Sequence, residues 1–128
     1  MSEYQPGVCN IGKAEKRKRY GLGLGSMAVF IALGATILAG LVSPIGLIFA
    51  FIAAMTGFEG ILQGYLSFCA GFASQGIYDV SEKGDERHDV EDDTARKQDR
   101  LKALQIHLYS FTGALSFTAL LFVGMTLL

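Results

Sequence analysis

Apolar and polar residues in this chain are sorted into long blocks rather than alternated. Residues 21–42 carry no ionisable side chain; a helix of that length, rising about 1.5 Å per residue, reaches roughly 33 Å and covers a hydrocarbon core of about 30 Å. Ser43-Pro44 then interrupts the run. Proline disfavours helix at the residue before it and suits a first helical turn, so a tight reversal is expected there. A second apolar block, 44–72, is broken only by Glu59 and Gln63 and is longer than a perpendicular span needs, an excess that tilt or an extension past the bilayer would absorb. Residues 79–107 are soluble in character. Within them Asp92 and Arg96, like Asp93 and Lys97, stand four apart in the favourable acid-first order, which predicts a helix starting near Asp89. It can continue without a break into the last block, 108–128, which has no charge.

These blocks predict one all-α integral membrane domain with three transmembrane helices. Behind an N-terminal segment (1–20), spans 21–42 and 44–72 form a hairpin. A third span, 108–128, continues an amphipathic helix of the charged segment 79–107.

Composition sharpens this picture chiefly through where the charge lies. The chain of 128 residues is 51% hydrophobic and 18% charged, and, Glu3 and Glu59 apart, the charge is confined to two patches flanking the apolar blocks. Lys13, Lys16, Arg17, Lys18 and Arg19 precede the first span, Arg96, Lys97, Arg100 and Lys102 precede the third, and the Ser43-Pro44 turn has no basic residue. Because Lys and Arg near span ends mark the cytoplasmic side, the N-terminus and the long loop are expected in the cytoplasm, with the turn and C-terminus outside a cell (plasma or inner) membrane. The first block is too long for a signal-peptide h-region and lacks an A-x-A exit, so it is expected to remain as a span. A net charge of -1 gives no nucleic-acid signal, and the basic run is explained by orientation. The expected partners are the lipid bilayer and a second copy or another membrane protein.

Three sets of residues carry candidate chemistry. Glu59 is an acid within a span, a costly placement that usually marks function. Gln63 and Ser67 follow at four and eight residues and share its helical face; Glu59 falls roughly 22 Å along the second helix, toward its cytoplasmic end. Small residues recur as Gly21-x-x-x-Gly25, Ala53-x-x-x-Gly57 and Gly60-x-x-x-Gly64, a spacing that lets helix backbones approach closely, either span on span or between copies. Cys9 and Cys69 both fall near the cytoplasmic surface; two cysteines are too few for a disulfide scaffold, and without C-x-x-C spacing reduced thiols are expected. Acylation of Cys9 beside the basic run is a minor alternative.

His88 among Asp89, Glu91, Asp92 and Asp93 belongs to a solvated acidic surface rather than a metal loop, and His107 stands where the third span meets headgroups. Neither a metal nor a cofactor is expected. G-x-S-x-G, the Walker lysine motif, H-E-x-x-H and the dinucleotide fingerprint are all absent from the sequence, so no catalytic residue is assigned and no enzymatic activity is expected.

Two strings add a resemblance. Asn10-Ile11-Gly12-Lys13-Ala14-Glu15-Lys16-Arg17-Lys18-Arg19, followed by Gly23, resembles the N-x-G-x-x-[DE]-[RK]-x-x-R opening of the YgaP-type small transmembrane domain. Phe68-Cys69-Ala70-Gly71-Phe72-Ala73-Ser74-Gln75-Gly76-Ile77 is similar to that domain's F-C-P-x-[YF]-x-x-x-G-I ending. Residues 10–77 would then be a two-span hairpin that tends to pair with a second copy and carries Cys69 on the cytoplasmic side. Ala70 departs from the family's proline, and the third span is an addition to it.

The function expected from all this is a self-associating structural module or an auxiliary subunit. The alternatives are a small oligomeric transporter or channel working through Glu59 and Gln63, and a sulfur or redox accessory protein working through Cys69.

Overall fold

A computed structural model describes residues 3–128, and its fold is nearly all-α. Its elements are α1 (Lys13–Leu38), α2 (Gly46–Leu66), the short α3 (Ala70–Gln75), β1 (Ile77–Tyr78), β2 (His88–Asp89) and α4 (Asp93–Leu127). Helices α1, α2 and α4 are each long and apolar enough to cross a membrane. Ser43 and Pro44 lie in the non-helical segment between α1 and α2, where the sequence predicts the break.

The boundaries differ from the sequence expectation in instructive ways. α1 begins eight residues before the apolar block, inside the basic run, because Glu15 offsets the cations of its first turns: the buried carboxylate accepts from Lys18 Nζ at 2.9 Å and Arg19 at 3.4 Å. An acid in the first turn also suits the positive end of the helix dipole.

The expected second span, 44–72, is two helices. α2 stops at Leu66 and Ser67 takes a left-handed conformation (φ 55°, ψ 43°). Polar side chains and a neighbouring strand of chain claim the backbone there. The Ser67 carbonyl accepts the amides of Asn10 and Ile11, and the Ala70 amide donates to Gln63 Oε1 at 3.3 Å. The surplus apolar residues become a lid, not a longer span.

Segment 79–107 is likewise not helical throughout. β1 and β2 pair antiparallel, Ile77 with Asp89 and Tyr78 with His88. The helix starts at Asp93, where the Asp92 carboxylate caps it by accepting from the Ala95 amide at 2.9 Å. Arg96 does not meet Asp92 in an ion pair; its Nε donates to the Val90 carbonyl. From Asp93 the helix runs into the third span unbroken, as expected.

The polar end of the bundle has its own small core. Phe68, Ala70 and Ala73 pack on Ala103 and Ile106 of α4, and beside them Ile11, Cys69 and Phe72 form a second cluster. The N-terminal segment is strapped across this cap: the Tyr4 hydroxyl and the Gly7 amide each donate to the buried Asp99 carboxylate at 2.7 Å. Burial first, then the Asp99 bond, push the Tyr4 phenol above its ordinary value.

Asp79 closes the cap on its other side. Its main chain bridges to Asn10 and Gly12, while the buried carboxylate accepts from the Ser81 hydroxyl at 2.6 Å, the Ser81 amide at 3.1 Å and the Glu86 amide at 3.1 Å. Burial alone would raise this carboxyl, but the bonds from Ser81 and Glu86, with Arg87 nearby, hold it below 3.8. A depressed folded-state value means the stabilisation is present above 3.8 and is lost as pH falls through the folded value. Asp79→Asn is therefore expected to flatten the acid limb of cap stability, followed as exchange protection of the Val90 amide, which donates to the Gly76 carbonyl. An acid limb as steep as that of the parent chain would refute the assignment.

Candidate functional site

Three arrangements bear on function, and all involve residues singled out by the sequence. The first is intrahelical and interhelical at once. Gln63 Nε2 donates to Glu59 Oε2 at 2.8 Å, and His107 Nδ1 of α4 lies 2.5 Å from Glu59 Oε1. Glu59 thus ties α2 to α4 close to the polar end, and Gln63 passes the chain of bonds on to the Ala70 amide. Ser67, expected on the same face, does not join, because the helix ends before it and its carbonyl serves Asn10 and Ile11. A carboxylate bridging an imidazole and an amide clamps the two helices together.

The second arrangement surrounds Cys69. Asn10 grips its peptide from both sides: the Cys69 amide donates to Asn10 Oδ1 at 2.6 Å, and Asn10 Nδ2 donates to the Cys69 carbonyl at 3.0 Å. The sulfur accepts from the Arg19 guanidinium at 3.0 Å and, as the N-cap of α3, from the Phe72 amide at 3.4 Å. Arg19 also lies over the Phe72 ring at 5.7 Å, with Arg87 over the same ring at 5.2 Å. Cys69 itself is only 3% exposed. Cys9 sits on the same cap, reduced, its thiol donating to the Ile11 carbonyl at 3.5 Å. Burial raises the Cys9 thiol above its ordinary value, against partial offsets from that bond and from Lys16. The His88 ring lies tilted against Tyr78, which in turn stacks on Tyr4, and among the described residues no group of His, Cys, Asp and Glu is arranged to hold a metal ion.

The third arrangement concerns the small residues. Gly57, Gly60 and Gly64 of α2 all face α1, and Ala53 is buried between the helices. Their counterpart on α1 is not the expected Gly21 and Gly25 but Gly23. A Cβ placed on Gly60 would meet the Gly23 amide nitrogen at 2.5 Å and the Arg19 carbonyl oxygen at 2.6 Å, so the two backbones touch here. Around Gly21 and Gly25, by contrast, a Cβ would find nothing within 4 Å.

Those two glycines open a longer feature. Gly21, Gly25, Ala28, Ala32, Ala35 and, just past the helix end, Ala39 are all exposed and follow one another at spacings of 4, 3, 4, 3 and 4. With about 3.6 residues per turn they fall on one narrow face, opposite the face that carries the buried Gly23, Gly34 and Ile37. Leu22 and Val29 border the stripe on one side, Leu24 and Ile31 on the other, all more than half exposed. The outward face of α4 is built differently, from Leu108, Phe111, Leu115, Leu120 and Phe122.

Sequence reasoning missed Asn10 and Arg19 as partners of Cys69, and His107 as the partner of Glu59. These three pairs join residues 48 to 59 positions apart, and only their position near a polar–apolar boundary marks them in the sequence. No family model, curated protein or solved structure matches this chain.

Proposed function

We propose that this chain is a non-catalytic multi-pass membrane module that pairs with a second copy through α1, its N-terminus and helical cap lying in the cytoplasm. The observation that carries the reading is the stripe of exposed small residues on α1. Lipid tails are as apolar as leucine, so a helix gains nothing by offering lipid a row of glycine and alanine; such rows serve close backbone approach, where packing and not hydrophobicity drives association. The spacing of 4 and 3 is that of a left-handed helix pair, and the flanking Leu and Ile side chains form ridges on either side of a shallow groove. A second copy fits this face because the same face is self-complementary about a two-fold axis. The basic residues at the head of α1 and of α4 support the orientation, and the strings around Asn10 and Cys69 support kinship with hairpins that pair.

Since nothing within the chain lies near Gly25, Gly25→Leu tests the pairing without disturbing the fold. Energy transfer between labelled copies in vesicles is expected to fall to background in this variant while its thermal unfolding stays within a few degrees of the parent. Undiminished transfer would refute the reading.

A second reading, a thiol function in sulfur or redox chemistry, is favoured by the two donors on Cys69 Sγ. It requires the thiol to become accessible. Cys69 that stays unreactive toward a permeant alkylating reagent in native membranes would eliminate it.

A further inference from the structure

The exposed apolar face of α4 does not stop where its charge-free block begins. Leu101, Leu104, Leu108, Phe111 and Leu115 follow one another at spacings of 3, 4, 3 and 4, which keeps them on one side of the helix, and each is about half exposed or more. The first two stand beside Arg100 and Lys102, one and two turns before the block. A shallow groove of about 560 Å³ runs over them, lined also by Lys102, Leu108 and Tyr109.

Contacts between the helices fix the level of this row against the other two spans. On α4, Leu104 and Leu101 lie one and two turns from His107 toward the cap. On α2, residues 63–66 lie equally far beyond Glu59, the partner of His107, and Leu62 and Leu66 accordingly pack on the cluster that holds Ala103. α1 reaches the same level at Tyr20, whose ring stands against Gly64 and which directly follows the last cation of the basic run. Tyr65 of α2 is 73% exposed here, and the Tyr109 hydroxyl of α4 reaches back one turn to accept from Gln105 Nε2 at 3.1 Å. The three tyrosines of the spans thus gather beside the basic residues, which is the composition of a membrane–water interface.

We infer that the cytoplasmic surface of the bilayer crosses α4 at Leu101–Leu104, so that phospholipid of that leaflet covers this row and its groove while the Glu59–His107 tie lies beneath the headgroups. The assignment rests on the multi-pass arrangement proposed above. Lipid fits as the occupant because the row is continuous with the face that the third span turns outward. Arg100 and Lys102 fit it too, since their apolar stems lie along acyl chains while their charges reach the phosphates. At about 1.5 Å per residue, His107 stands roughly 5 Å deeper than Leu104 and roughly 9 Å deeper than Leu101. The uncharged block places the boundary later because it counts charges all round the helix, whereas lipid meets one side of it.

The chain contains no tryptophan, so a single tryptophan reports its own depth. Leu104→Trp, Leu115→Trp and Lys97→Trp, which lies on the same face one turn before Leu101, are made in the full chain. All three sites are exposed. Leu101→Trp repeats the test should Leu104→Trp not fold. Each variant is reconstituted in phosphatidylcholine vesicles brominated either near the glycerol end or near the methyl end of the acyl chains. Leu104→Trp is expected to lose emission mainly to the shallow bromine, Leu115→Trp mainly to the deep bromine, and Lys97→Trp to neither. Emission from Leu104→Trp that neither bromine reduces would overturn the assignment, since protein or water would then cover the row. Quenching of Lys97→Trp as strong as that of Leu104→Trp would also overturn it, by moving the boundary beyond the row. If Leu115→Trp is unquenched as well, α4 does not cross the bilayer and the multi-pass arrangement itself is refuted.

Discussion

Gly60→Val is expected to destabilise the bundle by about 3 kcal/mol or more, at the upper end of what overpacking costs. The reason is the kind of atom that stands in the way. A Cβ at this position comes within 2.6 Å of the Gly23 nitrogen, the Gly23 Cα and the Arg19 carbonyl oxygen, all of them main chain. A side chain can rotate out of such a clash, but a helix backbone can only move as a whole. α1 would have to withdraw from α2 along its length, and Met27, which lies against Gly57, and Tyr20, which lies against Gly64, would lose their seats with it. Unfolding by denaturant in mild detergent, followed by circular dichroism, measures the loss. Gly25→Leu supplies the contrast: it adds a larger side chain to the same helix only two residues from Gly23, yet is expected to leave the midpoint unchanged because its site is open. Equal effects of the two substitutions would show that α1 is rotated from the orientation described here.

Asn10→Leu has the second-largest expected effect, and it is local. Leucine occupies similar space but can neither accept from the Cys69 amide nor donate to its carbonyl, bonds of 2.6 and 3.0 Å in a fully buried setting. Each buried backbone group left without a partner costs about 1–3 kcal/mol, so a loss of about 3 kcal/mol in the stability of the cap is expected. The spans, held by the Gly23–Gly60 contact and by Glu59 with His107, keep their packing. Alkylation of Cys69 reads the difference directly. Its rate should rise about a hundredfold, the opening equilibrium that corresponds to such a loss, while overall helical content is maintained. An unchanged rate would mean that Cys69 is reached by a route that does not pass through this hinge, and the cradle would lose its importance for the thiol reading.

Most of the architecture was legible in the sequence because burial in lipid leaves a blunt signature. Three long apolar runs and one proline-marked turn suffice to place α1, α2 and α4, and the acid-first pairs before residue 108 do announce a helix that enters the last run without stopping. The same pairs misstate its detail: Asp92 caps the helix and Arg96 reaches back to Val90, because unsatisfied backbone groups at a helix end compete well against an exposed ion pair worth only a few tenths of a kcal/mol. The break after Leu66 was illegible for a related reason. Residues 67–72 continue the apolar run of the span, and only the distant Asn10 and Gln63, which claim backbone groups there, turn them aside. Glycine spacing pointed to the right helices and left open which glycine of α1 meets α2. Gly21 and Gly25 match the pattern better than Gly23 does, but which glycine faces α2 depends on how α1 is rotated about its axis, a quantity fixed by long-range packing. Glu59 was identified as unusual from its surroundings alone, whereas its partner His107 lies 48 residues away.

α4 extends for 35 residues, roughly 52 Å, from Asp93 to Leu127, and holds no proline and no glycine before Gly113. Such a rod has no joint at the membrane surface. Val90, Arg96 and the Tyr4 strap grip one arm, phenylalanine contacts from α2 grip the other, and the Glu59–His107 tie sits between the two like a fulcrum. A load on the charged N-terminal arm of α4 is therefore expected to reach the far end of the helix as tilt, with leverage set by where that tie stands along the rod.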